Sequence, residues 1–391
     1  MKEGWEYKML GEVGSFKRGG NFSKKDFVKD GFPCIHYGQI HTKFGIFTEK
    51  HLSCVPANIV KKERCAKKGD LVIAITSEDE EGSCKCTAWM ADYEAYVGGH
   101  TAIYSHTLNP LFMSYYFQSP IFQIEKLNYT HGFKVVEISP KDIAKIKIPI
   151  PSLEEQRRIV SYLDSSFKLI DEIKNKALKS LTEAKALFQS ALAEAMEPKE
   201  GWEEKTLGEL CSIIGGGTPS KKNSSYYNGD IPWATVSDMN CDYLQNTICK
   251  ISDDGVKNSS TQIISKNEVI IATRVGLGKV CILCQDTAIN QDLKGIIPKS
   301  DNKLIRKFIF WWFRSKSNYI VSNGVGATVK GVKLSFVSNL KISLPTISTQ
   351  KQIVSHLDSL SSKVRAIEEK YQKMVEECDA LKQAMLRDVF E

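Results

Sequence analysis

Nine residues from Gly4, GWEYKMLGE, return from Gly201 as GWEEKTLGE, and the echo runs on to the end of the chain. Lys68-Gly69-Asp70-Leu71-Val72-Ile73-Ala74 is matched by Lys266-Asn267-Glu268-Val269-Ile270-Ile271-Ala272, a turn feeding an apolar run of strand length. FMSYYFQS at 112–119 is matched by FIFWWFRS at 308–315, and IKIPIP at 146–151 by LKISLP at 340–345. Gln156, Ile159, Val160, Ser161, Leu163, Asp164 and Ser165 recur as Gln350, Ile353, Val354, Ser355, Leu357, Asp358 and Ser359. The separation stays near 194–199 positions, so one unit is present twice in the same order. Between the echoes the halves diverge almost completely, at 17–66 against 215–264 and at 76–98 against 274–290. One scaffold therefore carries two different surfaces.

Each half closes on a stretch without glycine or proline, 152–196 and 347–391. Ser152-Leu153-Glu154-Glu155 after Pro151 has the spacing of a capping box, and Pro198 ends the first stretch. Val160, Leu163, Phe167, Ile170, Lys174, Ala177, Leu181, Ala184, Phe188, Ala191 and Ala195 step by threes and fours, with Lys174 the one break in the apolar seam. Ile353, Leu357, Leu360, Val364, Ile367, Tyr371, Met374, Cys378, Leu381 and Met385 repeat the pattern. Seams this narrow belong to coiled coils, and each helix could extend about 65 Å. A helix with a bare seam is not stable alone in water, so the two are expected to pack antiparallel, with the globular parts at opposite ends. The alternatives are a helix folded on its own domain or a dimer with another chain.

At 391 residues the chain is long enough for two cores, and its 42% hydrophobic and 25% charged residues are those of a folded protein. No apolar run is of membrane-spanning length and the Met1-Lys2-Glu3 start lacks the apolar core of a secretion signal, so a cytoplasmic location is expected. Eleven cysteines without regular spacing fit reduced thiols. Cys84 with Cys86, and Cys281 with Cys284, lack partner pairs at zinc-site spacing and read as buried or strand-facing thiols. The net charge is +7, while the helical stretches hold 7 basic against 7 acidic residues and 7 against 8, so the positive surplus lies in the globular parts.

The motifs of catalysis are missing. Gly276-Leu277-Gly278-Lys279-Val280 has Thr273 where a phosphate loop needs its first glycine, and reads as a hairpin turn. Gly215-Gly216-Gly217-Thr218-Pro219-Ser220 does not match the dinucleotide fingerprint. Asn109-Pro110-Leu111-Phe112 is one proline short of the Asn-Pro-Pro-aromatic loop of amino-methyltransferases, and the seven histidines form no ligand set. The aromatic clusters at 115–117 and 311–313 occupy equivalent places in both halves, which points to core packing rather than base stacking. No catalytic residue or metal ligand is assigned.

The doubled order of variable domain and long helix resembles the specificity subunits of type I restriction-modification systems. The likeness is carried by the Gly-Trp openings at 4–5 and 201–202, Gly216-Gly217-Thr218-Pro219-Ser220 before Gly229-Asp230-Ile231-Pro232-Trp233, Asn290-Gln291-Asp292, and a Pro-x4-Gln start to each helix at Pro151 to Gln156 and Pro345 to Gln350. The first half departs from it: Gly19-Gly20-Asn21-Phe22-Ser23 replaces the Gly-Thr-Pro-Ser loop and Gly98-Gly99-His100 stands against Asn290-Gln291-Asp292. The resemblance implies an α+β fold of pseudo-twofold duplicated architecture: two similar α/β target-recognition domains, 1–151 and 198–346, separated by long antiparallel helices, 152–197 and 347–391, forming a coiled coil. It implies a non-catalytic subunit whose domains each read half of a bipartite double-stranded DNA target. Its helices would dock methyltransferase subunits, two in number, which bind S-adenosylmethionine, and restriction subunits using ATP and magnesium can join. The chain itself would hold no cofactor and no membrane contact.

Phosphates call for lysine and arginine, and base edges for amide, hydroxyl and guanidinium groups. The divergent stretches supply Lys17, Arg18, Lys24, Lys25, Gln39 and His41 in the first half and Ser220, Lys221, Lys222, Asn223, Arg274 and Lys279 in the second. Lys330 and Lys333, in a glycine-punctuated loop, are further phosphate candidates. The alternative reading within the class is the recognition subunit of a system whose cleavage and methylation share one partner polypeptide. From another class, the alternative is a coiled-coil scaffold for protein interaction.

Overall fold

The computed structural model describes residues 4–132, 135–326 and 329–391, so the Met1-Lys2-Glu3 start lies outside the described residues. The chain forms two compact units, Met1–Leu178 with Gln372–Glu391, and Lys179–Tyr371. Each unit thus holds one globular head together with part of both long helices.

In the first unit a five-stranded sheet has the order Gly14–Arg18, Thr101–His106, Leu71–Ala74, Cys86–Trp89, Phe47–Thr48. A four-stranded sheet follows Ser53–Val55, Phe32–Ile35, Ala95–Val97, Cys65–Ala66, and Glu6–Met9 pairs antiparallel with Lys147–Ile150. The second unit repeats every step. Its five strands run Cys211–Gly215, Leu293–Pro298, Val269–Ala272, Val280–Leu283, Tyr243–Leu244, and its four run Cys249–Ile251, Ile231–Ala234, Thr287–Ile289, Gln262–Ile264. Glu203–Thr206 pairs with Lys341–Leu344. Topology is therefore shared even across the stretches whose sequences have no visible likeness.

The doubly apolar strands explain themselves by packing. Leu71 and Ile73 face one cluster with Phe112, Tyr116 and Phe117, while Val72 and Ala74 face another with Ile35, Ile40, Trp89 and Val97. Val269 and Ile271, then Ile270 and Ala272, divide the same way in the second unit. A strand covered on both faces reads as a continuous apolar run.

The aromatic segments are core, as expected. Phe112, Tyr115, Tyr116 and Phe117, like Trp311, Trp312 and Phe313, are at most 3% exposed, so none is free to stack on a base. Their polar atoms are satisfied internally: Tyr115 Oη donates to Asp164 (2.6 Å), Tyr116 Oη to the Lys147 carbonyl (2.8 Å) and Trp311 Nε1 to Asp358 (3.0 Å). Asn109 caps the helix Pro110–Gln118 by accepting from the amides of Leu111 and Phe112 at 2.9 and 3.1 Å. The near-match to a methyltransferase loop is thus a helix start with proline in its first turn.

The long helices are Leu153–Ala195 and Ile347–Phe390. Ser152 Oγ accepts the Glu155 amide at 3.2 Å, and the Glu155 carboxylate takes Arg158 in a bidentate pair. Within the first unit Asp171 pairs with Lys382 and Lys174 with Asp379, both at 2.6 Å, so one helix descends as the other climbs. Within the second, Lys185 lies 3.7 Å from Glu368, an ion pair between the two long helices. Lys174, the break in the first seam, therefore serves an interhelical ion pair. The second seam needs correction at two places. Ile367 and Leu381 are 38% and 51% exposed, while Leu386, Val389 and Phe390 are buried in the first unit's core. Beside Leu381 the stem of Lys382 lies over the Phe167 ring, its ammonium 5.0 Å from the centroid.

Asp242 ties head to helix inside the second unit. It is a carboxylate only 12% exposed that receives Arg314 (3.2 Å) from the helix Arg306–Ser322 and Arg365 from the second long helix. Asp242→Asn should lower stability by about 1–2 kcal/mol, because two charge-assisted bonds weaken while both arginines keep access to water. Urea denaturation of the full chain checks this, and an unchanged midpoint would mean that the cluster is decorative.

Candidate nucleic-acid interface

Two motifs far apart in sequence are one structure in the second head. Gly216 lies so near the backbone of Ile289 and Asn290 that a Cβ would overlap both carbonyl oxygens, and Gly217 is pressed as closely on Ser260 and Thr261. Thr218 Oγ1 then donates to Gln291 Oε1, Trp233 Nε1 donates to the Gly217 carbonyl (3.2 Å), and Tyr227 Oη to that of Pro219 (2.7 Å). These ties hold out an exposed loop bearing Ser220, Lys221, Lys222 and Asn223. Asn223 Oδ1 is occupied by the amide and hydroxyl of Ser225, so that residue caps the short helix Ser224–Tyr227.

Beside this loop Arg274 forms a backbone bridge with Gly331, and its Nε stands 3.8 Å from Asp292 Oδ1. Lys294 donates to the carbonyls of Gln291 (2.8 Å) and Leu293 (3.0 Å). Burial pushes its ammonium pKa down, Asp292 opposes that shift and Arg274 adds to it. Lys330 is exposed next to Gly331, which brings it to Arg274. Lys333, also exposed, precedes the helix Leu334–Ser338 and borders a groove with Lys316, Tyr319 and Lys341. Lys279 is otherwise engaged: its Nζ donates to the Val236 carbonyl (3.3 Å) and to Asn240 Oδ1 (3.0 Å), bracing the turn after Ala234. The segment between Ala272 and Val280 is a hairpin turn, with Gly276 and Gly278 at φ +70° and +86°.

The first head makes the same close approach with different residues. A Cβ on Gly19 would overlap the Gly98 carbonyl and stand 2.5 Å from Thr101 Oγ1, so Gly19-Gly20 meets Gly98-Gly99 as Gly216-Gly217 meets Ile289-Asn290. Lys17 is exposed on the edge strand, and Arg18 pairs through Nη2 with Glu137. Ser23 caps the short helix Lys24–Asp26, leaving Lys24 and Lys25 exposed. Lys24 lies near His36, whose pKa falls through burial first and the charge of Lys24 next.

Gln39 is a correction. It is 9% exposed, its Oε1 accepts the His36 amide (2.9 Å) and its Nε2 donates to Ser53 Oγ (2.8 Å), so the amide closes a helix cap instead of facing a ligand. Asp238 does the same for the Thr235 amide in the second head, at 2.8 Å. His41 is half-buried, with Nε2 3.3 Å from the Thr76 carbonyl.

Sequence reasoning missed Arg64, which donates to the Gly19 and Arg18 carbonyls under the first loop, and Lys85, which donates to that of His41 at 2.9 Å. The basic cluster Lys61-Lys62-Glu63-Arg64 was the available signal. It missed a contrast of sign too. The hairpin that carries Arg274 in the second head carries Glu78, Asp79, Glu80 and Glu81 in the first, all exposed. That hairpin cannot serve phosphates in the first head.

Of the paired cysteines, Cys84, Cys86 and Cys281 are buried and Cys284 is half-buried; burial raises the thiol pKa of Cys84 and of Cys86 to about 12. Among the described residues no group of three or more His, Cys, Asp or Glu could hold a metal ion, and no helix is long and apolar enough to cross a membrane.

The family model described as the type I restriction modification DNA specificity domain matches residues 2–183 and again 199–377. The chain belongs to this family. It is 31% identical over 245 residues to the EcoR124I/EcoR124II specificity subunit of Escherichia coli, an alignment spanning 59% of this chain and 59% of that relative's length. Similarity to the StySPI specificity subunit of Salmonella potsdam covers 100% of this chain and 89% of the relative at 22% identity. A structure solved in work on complex assembly and conformational transition of the type I R-M system covers 100% of this chain and 98% of its own, with TM-score 0.81 at 20% identity, a likeness of fold. The tandem match restates the doubling seen in the sequence: one specificity domain per head.

Proposed function

We propose that this chain is the DNA-reading subunit of a type I restriction-modification complex, each head recognising one part of a bipartite duplex target. The observation that carries the reading is the pairing of identical topology with unlike rims. The glycine-braced loop displays Ser220, Lys221 and Lys222 with Arg274 on the neighbouring hairpin in one head, and Lys24 and Lys25 with Lys17 and Arg18 on the preceding strand in the other. Lysines and arginines on such a rim neutralise phosphates, and the guanidinium and hydroxyl groups suit base edges.

In this reading the chain is not itself a catalyst. Methyltransferase subunits, two per complex, dock on the long helices and bring S-adenosylmethionine, flipping the target base out of the duplex. Restriction subunits bring ATP and magnesium, and the complex works in the cytoplasm beside the chromosome. Of the candidate contacts, Lys17, Arg18, Lys24, Lys25, Ser220, Lys221, Lys222, Arg274, Lys330 and Lys333 remain, with His41 and Asn223 at the edges of the rims. Mapping methylated bases in a host carrying this chain with its methyltransferase subunit tests the proposal. A modified sequence in two separated parts, lost when the chain is deleted, is expected; modification that persists without the chain would refute it.

A further inference from the structure

The register of the two heads allows position-by-position comparison at the rim. Arg18 stands opposite Ala102 as Gly215 stands opposite Lys294, and Thr76 faces Glu137 where Arg274 faces Gly331. The first head therefore spends its rim arginine differently. The terminal Nη2 of Arg18 is taken by Glu137, and at the position of Arg274 it has Thr76, bound to His100 Nδ1 at 3.1 Å.

In the second head the carboxylate approaches Arg274 from the other edge. Asp292 Oδ1 lies on the Nε side at 3.8 Å, and among the described residues no acceptor takes Nη1 or Nη2 of this arginine, whose side chain is 57% exposed. The backbone that carries the carboxylate is itself fixed. Asn290 Oδ1 accepts the Asp292 amide at 3.1 Å, and the Asp292 carbonyl receives both the amide (2.8 Å) and the hydroxyl (3.1 Å) of Thr273, the residue before Arg274. Arginine and carboxylate thus hang from one braced pair of backbones. With the carboxylate on its Nε side as an ion-pair partner rather than a hydrogen-bond acceptor, the guanidinium leaves its two terminal nitrogens as a planar fork, the geometry that matches O6 and N7 of guanine in the major groove.

We propose that Arg274, aimed by Asp292, is a specificity-determining residue that selects guanine at one position in the part of the target read by the second head. This rests on the DNA-reading function above and adds a base and a residue to it. Lysine is a poorer substitute here, because it offers a point charge and no fork.

The test uses the full chain assembled with its methyltransferase subunit, probed with duplex DNA randomised across the target, followed by sequencing of the bound fraction. Wild type should recover a two-part sequence with a fixed guanine. Arg274→Lys should hold total DNA affinity within a few-fold yet lose roughly ten- to hundred-fold of the preference at that one position. Asp292→Asn should relax the same position less, and the other part of the target should stay unchanged in both variants. Thermal melting at the wild-type midpoint shows that the variants fold. A two-part sequence in which every guanine survives Arg274→Lys overturns this inference alone, as does a uniform loss for all sequences, the mark of a phosphate contact. Recovery of no common sequence by wild type overturns the proposed function itself.

Discussion

Gln350→Leu should lower the unfolding free energy by about 3–6 kcal/mol, measured by urea denaturation of the full chain. Gln350 is fully buried at the start of the second long helix. Its Oε1 accepts the Ile305 amide (2.9 Å), and its Nε2 donates to the carbonyls of Lys303 (2.9 Å) and Pro345 (3.0 Å). The side chain thus ties the helix start to the segment that leads into the aromatic helix. Leucine fills similar volume but leaves three backbone groups short of partners, each worth about 1–3 kcal/mol when desolvated. Gln156 has the corresponding place in the first unit, bonding the Asn109 amide and the Pro151 carbonyl, both at 2.9 Å. The Pro-x4-Gln spacing shared by both helix starts is thereby explained as a tie between helix and head. A loss below about 1 kcal/mol, less than one such bond is worth, would remove that explanation.

Gly216→Val should cost about 2–4 kcal/mol, since overpacking against rigid backbone has no inexpensive relief. The added Cβ would overlap the Ile289 and Asn290 carbonyl oxygens, and neither belongs to a flexible side chain. The loop carrying Ser220, Lys221 and Lys222 must then leave its seat on Asn290-Gln291-Asp292. Sequence selection by the second head should go with it, while the part read by the first head persists. Denaturation and sequencing of bound DNA report the two effects separately. A variant with wild-type stability would show that the close approach of the two motifs does not hold the loop.

Much of this fold was legible because a duplicated chain announces its scaffold. Positions 71–74 and 269–272 stay apolar in both copies since both faces of each strand are covered, and the aromatic runs persist since they fill the core beneath. The divergent stretches hid their common topology for a physical reason: burial constrains character more than identity. Cys34 and Trp233, or Val55 and Ile251, fill matching positions as buried apolar residues of different identity. Gln39 and Asp238 close matching caps with different side chains, which made Gln39 look like a ligand-facing amide. The seam at Leu381 was misplaced because an α-helix drifts against a strict repeat of three and four, and a lysine stem can occupy the seam instead. The pairs Arg18–Glu137 and Lys174–Asp379 join residues 119 and 205 positions apart, beyond the reach of local patterns.

In the proposed function one scaffold, used twice, displays two unlike reading surfaces to duplex DNA. This is tested most directly by the sequence that the assembled complex recovers from a fully randomised duplex. A target in two separated, unlike parts is expected, of which substitutions at 216–223 and 274 change one and substitutions at 17–25 change only the other. A single continuous target, or one in which either set of substitutions alters every position alike, would contradict it.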